Sequence, residues 1–225
     1  MRTPFFRAVY SIVLKDLMAE FRSRELVSAM ALFALLSILI FSFALELDRL
    51  ARQEAVGGVL WVTVAFASIL GLNRSLALER EQGNLDGMLM APVVRPAIFF
   101  GKLVGNFIFA LAVGLILAPL MSVLYNLPVA QPWLILTLTL GTLGLATVGT
   151  LLATMTIQTR SRETLLPIVM LPTALPVVLA AVRATTGILS GAPVEDWGAW
   201  TQLLVAVDVI YFVACYLLFE YVIEE

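Results

Sequence analysis

Apolar and polar positions alternate along this chain in long blocks. Six apolar runs, at 27–45, 56–72, 103–127, 133–157, 165–182 and 203–219, are separated by shorter polar stretches. A helix needs about 20 apolar residues, with a range of roughly 17–25, to cross the hydrocarbon core of a bilayer. All six runs fall in that range, so the pattern predicts an all-α polytopic membrane protein with six transmembrane helices in one domain over 1–225. Only the sixth run holds a formal charge, Asp208. The first run starts late, is longer than the apolar region of a signal peptide and lacks a small-residue cleavage pattern, so it is expected to stay in the protein.

The stretch before the first run has a different period. Over 5–25, Phe6, Val9, Tyr10, Val13, Leu17 and Phe21 recur at steps of three and four, with Arg7, Ser11, Lys15 and Arg22 opposite them. That spacing predicts an amphipathic helix lying in the membrane interface. Asp16 and Glu20 border its apolar side one turn apart, where like charges repel weakly, while Glu20 and Arg24 are spaced to pair. These residues, with Arg22, read either as part of a solvated anchoring helix or as groups that meet a partner or brace the nearby polar loop.

The polar loop is 73–102, and its most charged part, 78–92, reads LEREQGNLDGMLMAP. Helix is expected to continue from Ser75 to Gln82 and to stop at Gly83, since glycine tolerates the left-handed backbone that ends helices. Asn84 can cap a second short helix that shows Leu85, Met88 and Leu89 on one side, and Pro92 ends it. Pro96 then opens the third run, where its missing N–H costs little. The residues alone leave two readings: a solvated loop with ordinary charge pairs, or a surface presented to a partner.

Basic residues orient the chain. With the N-terminus in the cytoplasm, eleven of them fall in inner segments, and three (Arg49, Arg52 and Arg183) fall outside. The excess of Lys and Arg marks the cytoplasmic side, which places both termini and the 73–102 loop there. The outer segments 46–55, 128–132 and 183–202 are small, and the last, with Trp197 and Trp200, is expected to lie on the outer surface as a short helix.

Composition agrees: 61% of the 225 residues are hydrophobic and 13% are charged, against about half and a quarter in soluble domains. No polybasic region suggests nucleic acid. The chain has no histidine, which removes imidazole catalysis and imidazole ligation of zinc or haem. No paired cysteines, H-E-x-x-H or G-x-S-x-G occur, so no metal site and no catalytic residues are expected. Gly101-Lys102-Leu103 falls short of a P-loop, because Pro96 stands where its first glycine belongs and Leu103 where Ser or Thr should follow. A pump built on this chain would take its energy from another polypeptide.

Within the spans, Pro167, Pro172 and Pro176 predict a bent fifth helix that packs as a kinked element or lines an interface or cavity. Gly141, Gly144 and Gly149 allow close helix approach, and Gly101 and Gly105 form a G-x-x-x-G pair, a weak signal for a dimer contact. Asp208 is read either as a pathway or partner residue or as a side chain that reaches the outer interface or a neighbouring hydroxyl.

Glu79-Arg80-Glu81-Gln82-Gly83, Met88-Leu89-Met90-Ala91-Pro92-Val93 and Gly101-Lys102-Leu103 resemble the first cytoplasmic loop of exporter-type ABC permeases. With Leu60-Trp61-Val62-Thr63, Leu70-Gly71-Leu72-Asn73-Arg74-Ser75, the proline-rich fifth span and the ending Leu218-Phe219-Glu220-Tyr221-Val222-Ile223-Glu224-Glu225, the chain resembles the haem exporter protein B family, CcmB, over nearly its whole length. The resemblance implies a multi-pass permease subunit of the bacterial inner membrane that serves cytochrome c maturation. It implies ATP hydrolysis on a separate ATPase, CcmA, with CcmC, CcmD and the haem chaperone CcmE as further partners, two copies of this chain, and haem as candidate cargo. The work done would be haem export or release of haem-loaded CcmE. An ABC permease for a lipid, drug or polysaccharide is the alternative. Under this resemblance Leu85, Met88 and Leu89 dock on the ATPase, Glu79, Arg80 and Glu81 orient it by charge, Gly83 permits the bend, and Pro92 ends the short helix.

Overall fold

The computed structural model describes residues 4–44, 49–81, 94–126, 131–156 and 162–222. Seven helices occur among them: α1 (Phe5–Ser23), α2 (Glu25–Ala44), α3 (Arg49–Glu81), α4 (Arg95–Tyr125), α5 (Pro132–Thr156), α6 (Arg162–Leu189) and α7 (Val194–Val222). All but α1 are long and apolar enough to cross a membrane. Helix is the expected form, because it pairs every backbone donor and acceptor within its own segment where no water is at hand.

The bundle has an inside and a rim. In α3 and α5, 72% of the apolar window is buried, against 22% in α2 and α7. α5 packs on α3, α4, α6 and α7, and it suits the centre because its residues are small. Its polar side chains would be costly there, but its threonine hydroxyls donate to carbonyls one turn back: Thr137 to Trp133 (2.9 Å), Thr142 to Leu138 (2.6 Å) and Thr147 to Leu143 (2.8 Å). Each hydroxyl is thereby satisfied within its own helix.

The glycines of α5 do something other than bring backbones together. Each leaves a recess that a neighbouring side chain fills. The ring of Trp61 on α3 lies against Gly141, the carboxylate of Asp208 on α7 against Gly144, and Leu72 and Met170 against Gly149. Trp61 is fully buried, and its indole Nε1 donates to Thr185 Oγ1 on α6 at 2.9 Å. One tryptophan thus ties α3, α5 and α6 together.

α6 and α7 are joined by a short turn, so the expected outer segment 183–202 is mostly helix. Residues 183–189 complete α6, and α7 already begins at Val194. Gly191 makes the turn at φ +70°, and the Ala192 N–H donates to Gly187 O at 3.1 Å. Trp197 is buried against Gly187 and Trp133 (ring centroids 5.3 Å apart) instead of lying on the membrane surface. Arg183 stacks over Trp200 at 5.9 Å. The aromatic contacts spare the chain a surface helix, because they bury the indole inside the bundle's own end.

The glycine recesses generate a paired prediction. Gly141→Ala puts a methyl group into the Trp61 ring and lowers the unfolding temperature in detergent. Gly58→Ala meets open space and leaves it unchanged or raises it, in line with the helix gain of up to about 1 kcal/mol. A thermal-shift assay on both variants checks the contrast.

Candidate functional site

The charged groups collect at one end of the bundle, where α1, the starts of α2 and α4 and the end of α3 meet. α1 buries a narrow stripe, Ala8, Ile12, Asp16 and Glu20, at successive four-residue steps, and packs on α4 through Ile12 and Asp16. Gly101 and Gly105 of α4 form the matching groove, with Ile12 against the first and Asp16 beside the second. The G-x-x-x-G pair is therefore occupied within the chain and is not a face for a second copy. The expected apolar face of α1 is divided: Phe6, Tyr10 and Phe21 are exposed, Val9, Val13 and Leu17 are half-buried with Leu17 against the main core, and Arg22 is exposed.

The two carboxylates of the stripe are not a repelling pair. Asp16 accepts from Lys102 Nζ at 2.8 Å and lies 3.1 Å from Lys15. Its side chain and that of Lys102 are 15% and 14% exposed, so this pair is shielded from water and from salt. Glu20 reaches past the end of α1 and accepts from the backbone N–H of Leu26 (3.2 Å) and Val27 (2.8 Å), the open first turn of α2. A helix N-terminus has unpaired N–H groups and a partial positive charge, and a carboxylate satisfies both. The chain can turn back this sharply because Arg24 adopts the left-handed conformation (φ 55°) and its N–H caps α1 on Glu20 O at 2.7 Å. Glu25, the first residue of α2, forms an ion pair with Arg74 on α3.

These contacts surround the polar loop. Arg74 precedes its charged part and Lys102 follows it, and both are held by the α1–α2 elbow. α3 runs unbroken to Glu81, so Glu79, Arg80 and Glu81 lie in its last turns. Gly83, Leu85, Met88, Leu89 and Pro92 lie outside the described residues. After them, Val94 caps α4, and Pro96 sits in its first turn.

An aromatic cluster missed by sequence reading adjoins this end. Phe99 packs on Phe219 (4.8 Å between centroids), and Phe100 packs on Phe5 (5.6 Å), Phe212 (5.4 Å) and Tyr216 (6.0 Å). Phe99, Leu103, Leu151, Cys215 and Phe219 make a small core apart from the main one. The adjacent pair Phe99-Phe100 at the loop's exit and the spacing of Phe212, Tyr216 and Phe219 were the available signals.

The remaining candidates lie deeper. Asp208 is midway along α7, fourteen residues from either end, or about 21 Å at 1.5 Å per residue. It is only 7% exposed, so it reaches neither the outer interface nor a neighbouring hydroxyl, and neither carboxylate oxygen has a hydrogen-bond partner. Pro172 and Pro176 are exposed on the outer face of α6 and Pro167 is half-buried. A cavity of about 170 Å³ lies between α3 and α6 against Val62, Phe66, Met170 and Ala174, and none of the three proline rings lines it.

Residues 7–219 match the sequence model of the CcmB protein family. The chain belongs to the CcmB family. Among its relatives are proteins named heme exporter protein B. That of Rhodobacter capsulatus is 31% identical over 164 residues, covering 72% of this chain and 75% of the relative. That of Paracoccus denitrificans is 32% identical over 169 residues, covering 73% and 75%. That of Pseudomonas aeruginosa is 26% identical over 186 residues, covering 82% and 83%. This CcmB-family chain is a multi-pass membrane permease subunit of the haem export and cytochrome c maturation type. Its six spans and its charged end are now fixed in one frame.

Breaking that frame has a predictable effect. Lys102→Met leaves Asp16 with one partner fewer in a shielded place and costs about 3 kcal/mol. Glu20→Ala removes a helix cap and costs about 1 kcal/mol. Exchanging the partners, Asp16→Lys with Lys102→Asp, recovers part of the first loss. Thermal unfolding of the four proteins in detergent checks the order.

Proposed function

We propose that this chain couples ATP hydrolysis on a separate CcmA-type ATPase to haem export or to release of haem-loaded CcmE, at the bacterial inner membrane. The arrangement at the charged end carries the reading. A 33-residue helix, α3, brings the chain out of the bundle, and α4 takes it back in. The α1–α2 elbow grips both stems by ion pairs, Arg74 with Glu25 and Lys102 with Asp16. A push on the segment between the stems reaches several helices, because both stems contact the same elbow. The basic residues at this end put it in the cytoplasm, where an ATPase can reach it.

In this role Leu85, Met88 and Leu89 seat in a groove of the ATPase, with methionine supplying adaptable packing. Glu79, Arg80 and Glu81 select its orientation by charge complementarity. The exposed aromatic residues of α1 (Phe6, Tyr10 and Phe21) enter the lipid interface with Arg7 and Arg22 at the headgroup level, which anchors the elbow. Two copies of the chain, one for each half of the transporter, with CcmC and CcmD beside them, complete the assembly.

Co-purification with the ATPase tests the reading. Glu81→Lys and Met88→Asp are expected to reduce recovery of the ATPase by about tenfold or more, the effect of 1.4 kcal/mol at an interface, with this chain still inserted and monodisperse. Full recovery with both variants would remove the 79–92 segment from the contact.

A further inference from the structure

α7 carries two polar groups on its inner stripe that the fold leaves unpaired. Thr201 and Asp208 are seven residues apart, two turns along one face, and neither the Thr201 hydroxyl nor either Asp208 oxygen has a partner. The contrast is with α5, where buried Thr137, Thr142 and Thr147 are satisfied within their own helix and Thr150 by Asn106 of α4. An unpaired carboxylate near the middle of a membrane is expensive, and no hydrogen bond to it occurs among the described residues. Gly144 on α5 opens a recess for it, and Val177 on α6 closes the side of that recess. One turn further along α7, the Tyr211 hydroxyl donates to Thr173 O on α6 at 2.6 Å. Thr173 sits between Pro172 and Pro176, neither of which has an N–H to give its helix.

The same helix is gripped at its other end by the loop's exit. Phe212 is one turn from Asp208 and packs on Phe100. Tyr216 packs on Phe100 as well, and Phe219 packs on Phe99. Phe99 and Phe100 stand on the first two turns of α4, at the exit of the polar loop and after its charged part. Displacement of that loop therefore reaches α7 directly through ring contacts. α7 is free to respond, being among the least enclosed spans, and a proline-interrupted neighbour flanks the seam.

We propose that α7 is the helix driven by the polar loop, and that its displacement from α5 and α6 admits water to Asp208. The conformation described here is then the closed one, and Asp208 is the group that gains hydration when the α5–α6–α7 seam opens. The proposal rests on the coupling role given to the loop. It adds which helix moves, by which side chains, and what the movement exposes.

The test uses the complete complex with its ATPase in lipid nanodiscs. Cys215 is the sole cysteine, so Cys215→Ala gives a blank background, and Val177→Cys places a thiol beside Asp208 without altering the carboxylate. Modification by a small charged methanethiosulfonate is followed by the mass of this chain. A minor conformer is populated at about 0.1–10%, so hydrolysing ATP is expected to speed labelling about tenfold or more over the nucleotide-free complex. Phe100→Ala is expected to abolish that gain while the ATPase stays bound. Asp208→Leu, labelled at the same thiol, is expected to lose most of the gain and to raise the unfolding temperature of the resting chain.

Equal, slow labelling with and without ATP overturns the proposal, provided that Glu81→Lys lowers ATPase recovery and so leaves the coupling role intact. If Glu81→Lys and Met88→Asp leave the ATPase in place, the coupling role has failed instead. A gain that survives Phe100→Ala rules out the aromatic route. A lower unfolding temperature in Asp208→Leu makes the carboxylate a structural group and overturns its assignment.

Discussion

Lys102 meets Asp16 two turns into α4, and the position of α1 follows from this contact. Both partners are shielded, and the α4 backbone approaches closely because Gly101 and Gly105 have no side chains to hold it off. An amphipathic helix that only floated in the interface would follow the lipid. This one is joined to a transmembrane span by charge and to the next span by the Glu20 carboxylate on the first turn of α2. The elbow between α1 and α2 is therefore a rigid corner. The Glu25–Arg74 pair extends that corner to α3.

The interior follows from the price the membrane sets on unpaired polar groups. α5 can be central because its buried Thr137, Thr142 and Thr147 bond one turn back, Thr150 accepts from Asn106 on α4, and its glycines receive the ring of Trp61 and the side chains of Leu72 and Met170. Trp61 and Thr185 satisfy each other across two helices. Against this background the bare carboxylate of Asp208 stands out. Among the described residues Thr63 and Thr201 also lack a hydrogen-bond partner, but Asp208 is the one carboxylate left so, and it lies in the seam of one of the two least enclosed helices.

Sequence reading recovered what depends on local pattern. Six apolar runs gave six spans, and the three- and four-residue steps of Phe6, Tyr10 and Phe21 gave α1. Ion-pair spacing misled for Asp16 and Glu20, because their partners are 86 and six residues away and lie on other helices. The outer segment was read as too long, since Arg183, Glu195 and Asp196 lower local hydropathy although they belong to helices. The α5 glycines were read as places where helices approach closely, and they hold neighbouring side chains instead. Which side chain fills each recess depends on how six helices face one another, and no periodicity within one run carries that. The docking residues of the polar loop were named from resemblance, and the frame around them came from the structure.

We propose that a separate ATPase acts on this chain at the segment between Arg74 and Lys102. The most direct measurement places a photo-reactive amino acid at Met88 in the assembled complex and identifies the cross-linked partner by mass spectrometry. A covalent link to the ATPase is expected, and it persists in the nucleotide-free and ATP-bound states. Links only to lipid or to other membrane subunits, with the ATPase present and active, would contradict it.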